Sequence, residues 1–321
     1  MFPTFVSRKR KISPATFFRL SFCLLAFTAG DVRADLNPKQ ARKSITRMPG
    51  FELTNGSVRV KSITMVSAAT ADAAAEIKTV FKLQKSAEGD WQVAEIRTGP
   101  DRWEAIEFIS RALGTPSLKS GNNVCTAFDP PSKGSSGALP TLKRTRCLLG
   151  TLLGVEVPSD AIRIQQVSPL EIPLGTQPSA TVVGWVRVDA RLVNDRKGWQ
   201  VTELRTGKND WAKLAEIVAS VNGMKETRAR AELALITKAL ESFRRDTGFY
   251  IVSDQHAKVI DHLSPHYLPQ IIRVDPWHQP YKYLGDRDHF TLRSAGPDAK
   301  ENTADDILVN QLPYLASELT F

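Results

Sequence analysis

The chain has 321 residues, 42% of them hydrophobic and 24% charged, with 43 Lys+Arg against 34 Asp+Glu. That is globular composition, and it excludes a wholly disordered chain, a collagen-like repeat and a polytopic membrane protein. The length asks for two or three domains at about 150 residues each. A formal charge of +9 raises the question of nucleic acid, and the amino terminus answers it.

Arg8-Lys9-Arg10-Lys11 is a basic run, followed by an apolar stretch from Leu20 to Gly30 and small residues around Ala34. The pattern predicts a secretory signal peptide over residues 1–34, cleaved after Ala34. The apolar run is about half the length of a membrane-spanning helix, so no transmembrane helix is expected in the mature chain. Without residues 1–34 the chain loses six basic residues and one acid, leaving 37 against 33, or +4. The remaining basic residues are scattered and not interleaved with aromatics, so nucleic acid is not expected as a partner. Cys23 leaves with the same segment, and Cys125 and Cys147 remain. In an oxidising compartment that pair predicts a disulfide, a closure that contributes about 3 kcal/mol. The expected location is the periplasm, the cell surface or the outside.

Trp91-Gln92-Val93-Ala94-Glu95-Ile96-Arg97-Thr98-Gly99 returns as Trp199-Gln200-Val201-Thr202-Glu203-Leu204-Arg205-Thr206-Gly207, and Trp103 returns as Trp211 at the same spacing of 108. Upstream, Val58-Arg59-Val60 parallels Ile162-Arg163-Ile164 at a spacing of 104. This predicts an internal duplication. Each copy reads as a short helix (38–47 and 142–153), then alternating strands (51–63, 75–85, 91–98 and 155–166, 180–193, 199–206), then a helix from Asp101 or Asn209. Asp101 with Glu104 matches a capping box. The layout resembles a cystatin-like or NTF2-like cone. Arg97 and Arg205 lie where the strands end, and turn chemistry accounts for the Arg-Thr-Gly triplet better than anion binding does. The predicted organisation is α+β throughout. Repeat modules span 35–114 and 141–222, with a Gly-, Ser- and Pro-rich linker at 115–140 and a third domain at 223–321.

The third domain opens with a helix from Lys225, apolar at Leu233, Ile236, Leu240 and Phe243 and ending at Gly248. Phe249-Tyr250, a second helix around 257–262, Asp275-Pro276-Trp277, Pro280-Tyr281 and Tyr283 follow. Phe290, Leu292, Ser294, Gly296, Asp298 and Asp305-Asp306-Ile307 complete the order. Three carboxylates in one loop suit a hard cation with oxygen ligands. Over about residues 224–309 this order resembles the C-terminal globular domain of the type II secretion system major pseudopilin (G-type), a helix with a small antiparallel sheet. The resemblance implies calcium in that loop, with Asp298, Asp305 and Asp306 as side-chain ligands and a carbonyl or hydroxyl near Ser294. His278 stands where the family has Gly. The family's amino-terminal filament-building helix has no counterpart: Met48 to Leu53 mimics its start, but polar, strand-like residues follow.

His256, His262, His266 and Asp254 lack tight metal-ligand spacing, and no triad, P-loop or dinucleotide fingerprint appears. The expected protein is exported and non-enzymatic, with partners in the secretion or envelope machinery. The rival expectation is a secreted small-ligand binder or enzyme using pockets in the two modules.

Overall fold

The computed structural model describes residues 35–100, 102–113, 125, 139–153, 161–170, 178–207 and 209–310. The predicted signal peptide and most of the predicted linker lie outside them. The fold is mixed α/β, built on a curled antiparallel sheet of eight strands with a separate sheet of three.

Two long strands form the spine, β2 (Thr70–Lys85) and β6 (Ser179–Asp195). Both are about three times the usual strand length. They pair along nearly their whole course, from Thr70↔Val193 to Gln84↔Ser179. β1 (Val58–Ser67) joins the first half of β2, starting at Val58↔Ile77. β3 (Trp91–Arg97) joins the second half and carries β4 (Trp103–Ala105) on its far side. On β6 the same order recurs. β5 (Ile162–Leu170) starts at Ile162↔Val186, and β7 (Gly198–Arg205) carries β8 (Ala212–Lys213). Ile77 and Val186 are themselves paired, so the two halves meet about that point. Even the irregularities match: β3 meets a register shift at Lys82/Leu83, and β7 meets one at Arg191/Leu192.

Strand alternation separates the two faces. Ala71, Ala73, Ala75, Phe81 and Leu83 are buried on one. Asp72 and Lys82, on the other, pair with Arg191 and Glu95. The apolar face receives α1 (Pro38–Thr46) and α3 (Leu142–Leu152). Helix α1 has Asn37 as a reciprocal cap with Gln40 and Pro38 in its first turn, and α3 is capped by Thr141. Each packs partly on the opposite half. Ser44 of α1 donates to the Trp199 carbonyl of β7 at 2.6 Å. Cys147 of α3 clusters with Phe81, Leu83, Trp91 and Val93 of β2 and β3. Cys125 and Cys147 form the expected disulfide, with Cα atoms 5.6 Å apart, and so tie Cys125 to α3.

Three expectations change. The helices do not begin at Asp101 and Asn209, because the returning chain first pairs with the strand it has left (Arg97↔Trp103, Leu204↔Ala212). Helix α2 (Ile106–Ala112) and helix α4 therefore start only after β4 and β8. The capping residue Asp101 lies outside the described residues. Trp211 is not on a helix face. Its ring lies under the guanidinium groups of Arg191 and Arg205, at 4.2 and 4.5 Å. The helix expected from Asn209 and the helix expected from Lys225 are one element, α4 (Leu214–Thr247, 34 residues), closed by Gly248 at φ 86°.

The carboxyl-terminal half of α4 buries Leu233, Ile236 and Leu240 against α5 (His256–Leu263) and the sheet β9 (Lys282–Gly285), β10 (Phe290–Ser294), β11 (Ile307–Asn310). The order is β11-β10-β9, all antiparallel. Tyr250 meets Phe290 edge-on at 4.9 Å, and the Tyr283 hydroxyl donates to the Ile251 carbonyl at 2.8 Å.

Candidate functional site

The acidic loop runs between β10 and β11 and is pinned at both ends. Asp275 is buried and receives the backbone N–H groups of Trp277 and Gln279, both at 2.9 Å, and the Ser294 hydroxyl. The Ser294 oxygen in turn accepts from the Gly296 N–H at 3.1 Å. His278, in place of the family's Gly, is held at φ 67° within this turn. At Gly296 a side chain is excluded, since a Cβ would lie 2.3 Å from the Asp305 carbonyl oxygen.

Beyond Gly296 the loop folds back on itself. The Asp298 N–H donates to the Asp305 carboxylate at 3.0 Å, and the Asn302 N–H to that of Asp306 at 2.9 Å. The Thr303 hydroxyl lies 2.7 Å from Asp305, 3.3 Å from Asp306 and 3.4 Å from Asp298. One hydroxyl has one proton and cannot satisfy three carboxylates. Hydrogen bonds from Thr303 and from the Asp298 backbone hold the Asp305 carboxyl below its ordinary pKa. Arg293 approaches Asp306 at 3.7 Å. So Asp298, Asp305 and Asp306 come together about Thr303, while the Ser294 side chain turns to Asp275. Among the described residues, no group of three or more His, Cys, Asp or Glu stands in a recognised metal-holding arrangement.

Pockets in the two modules are the rival expectation from sequence, and the large sheet carries one. A cavity of about 430 Å³ lies on the apolar face of the large sheet, over the Ile77–Val186 pair. Ile96 and Leu204 flank it, α2 and α4 wall it through Ile109 and Ile217, and Trp277 closes one side. Both Arg-Thr-Gly triplets reach it through Arg97, Thr98, Arg205 and Thr206. The two triplets differ in their bonding. Arg205 pairs with Asp189 at 2.9 Å, and Thr206 donates to the Leu153 carbonyl at 2.8 Å. Thr98 is buried, and its hydroxyl has no partner among the described residues.

In the cavity wall Lys225 of α4 meets Glu104 of β4 at 2.6 Å, both side chains being nearly inaccessible. His278 places Nε2 3.5 Å from the same carboxylate oxygen. Burial pushes the Glu104 carboxyl upward, but His278 and Lys225 outweigh it and leave the pKa lowered. Burial lowers the Lys225 pKa against the pull of Glu104. In sequence, Glu104 read as a capping partner and Lys225 as the start of a helix. Their meeting joins the large sheet to the carboxyl-terminal part.

The histidines do not converge. His256 is buried, its Nε2 donating to the Ile272 carbonyl at 2.9 Å and its Nδ1 without a partner among the described residues. Burial lowers its pKa below 6.5, more than the Ile272 carbonyl raises it. The folded state therefore favours the neutral ring. Its contribution to stability is intact above about pH 6.5 and is lost as pH falls through the lowered value. Thermal melts at pH 7.5 and pH 5 should show this loss in the wild type and a smaller one in His256→Gln.

Among the described residues no helix is long and apolar enough to cross a membrane. No curated protein and no solved structure matches the chain. Residues 216–310, which run from α4 through the acidic loop to β11, match the family model of type II secretion system (T2SS) protein G.

Proposed function

We propose that this protein is an exported, non-enzymatic accessory component of a secretion system or of the cell envelope, carrying a calcium-organised pseudopilin-like domain. The match of residues 216–310 to T2SS protein G carries this reading. The Cys125–Cys147 disulfide supports an oxidising compartment, in keeping with export through a signal peptide at residues 1–34. The matching antiparallel order of β1–β4 and β5–β8 supports a duplication, with modules at 35–114 and 141–222, a linker at 115–140 and the third domain at 223–321.

The loop suits calcium in its donors. Three carboxylates gather about one hydroxyl, and hard oxygen ligands are what calcium takes. Asp298, Asp305 and Asp306 would hold the ion, with backbone oxygen near Ser294 completing the set. A bound ion would supply the positive charge that Thr303 cannot.

Affinity capture tests the role. The chain from residue 35, immobilised and exposed to envelope extract, should retain secretion-machinery components in calcium and release them in chelator. Recovery of no such component in either condition would overturn the reading.

A further inference from the structure

We infer that the cavity over Ile77 and Val186 is a binding site for a small amphiphile with an aliphatic body and a carboxylate head. This goes beyond the secretion reading and does not depend on it. At about 430 Å³ the space falls within the range of small-molecule sites, roughly 300–1,000 Å³. Its lining is mostly apolar, with Ile77, Ile96, Val186, Leu204 and Ile217 contributing from both halves of the sheet and from α4.

The polar groups say what the head must be. Among the described residues, two buried side-chain atoms in the lining lack a hydrogen-bond partner, Thr98 Oγ1 and Arg102 Nε. Both belong to one turn, closed by the Thr98 N–H donating to the Arg102 carbonyl at 2.9 Å. Arg102 Nε–H can only donate, and the Thr98 hydroxyl can donate. A group that accepts from both is required, and a carboxylate does so with its two oxygens. Arg102 spends Nη1 on Glu52 at 2.8 Å, which fixes its plane and leaves Nε for a ligand. The equivalent threonine, Thr206, is already bonded to Leu153 and Asn209. The head site is therefore on one side of an otherwise near-symmetric cavity.

Decanoate and decanol share a chain and differ at the head. Titrated calorimetrically into the delipidated chain from residue 35, decanoate should bind at one site about tenfold more tightly than decanol, as expected for a hydrogen bond to a charged group. Thr98→Val and Arg102→Lys, the latter keeping a cation beside Glu52, should each bring decanoate down to the decanol level. Ala212→Phe fills the cavity from the edge strand and should abolish both. Val218→Trp does the same from α4, should Ala212→Phe fail to fold by circular dichroism. No binding of either compound, or binding that survives a folded cavity-filling variant, overturns the site. Equal affinity for the two compounds in the wild type overturns the carboxylate head.

Discussion

Glu104→Gln should destabilise the protein by about 3–5 kcal/mol, the cost of stripping one partner from a buried ion pair. Lys225 lies 2.6 Å away and is almost wholly enclosed. With Glu104 neutral, the Lys225 ammonium would face the charge of Arg102, which already acts to lower its pKa. The reverse substitution should cost less. In Lys225→Met, Glu104 keeps His278 at 3.5 Å. The double variant Glu104→Leu/Lys225→Met should recover much of the loss, because no charge is left buried. The sign with pH follows from the shifts. Glu104 has a lowered pKa, so its contribution is present above its ordinary value of about 4.5 and is lost as pH falls through the lowered value. Lys225, also lowered, opposes stability while it is charged. Urea midpoints across this set at two pH values check the pattern.

Trp277→Ala should cost a further independent 3–5 kcal/mol or so, in the range of large-to-small changes at buried aromatics. Its ring belongs to the carboxyl-terminal core and also lines the cavity. Its indole N–H donates to Asn222 of α4 at 3.0 Å. Trp277→Phe retains most of the apolar burial and should lose about 1 kcal/mol from the missing hydrogen bond alone, plus what the smaller ring leaves unfilled. Equilibrium unfolding followed by circular dichroism separates the two substitutions. An effect of Trp277→Ala below about 1 kcal/mol would mean that the turn is not an anchor.

What could be read in advance divides along physical lines. Alternation located β2, β3, β6 and β7 because a strand with one buried face has period two. The Gly248 stop and the Asp275-Pro276-Trp277 turn were legible because they are local chemistry. The β2–β6 pairing was not, since strands more than 100 residues apart in sequence leave no local trace of their register. The crossed packing of α1 and α3 follows from that pairing and was hidden with it. The short strands β4 and β8 were taken for helix starts, because two or three residues cannot show a period. Pockets in the modules were a rival expectation, but their lining could not be picked out: Ile77 and Val186 read as core whether they meet side chains or empty space. Three aspartates in a loop declared themselves. Thr303, the hydroxyl they surround, did not, because a lone threonine in a loop carries no pattern.

The proposed calcium site in the acidic loop is most directly tested by isothermal titration of calcium into the chain from residue 35. The predicted result is one site saturating at or below millimolar calcium, abolished by Asp305→Ala and leaving the Cys125–Cys147 disulfide intact. An absence of calcium binding at millimolar concentration, in wild type and Asp305→Ala alike, would contradict it.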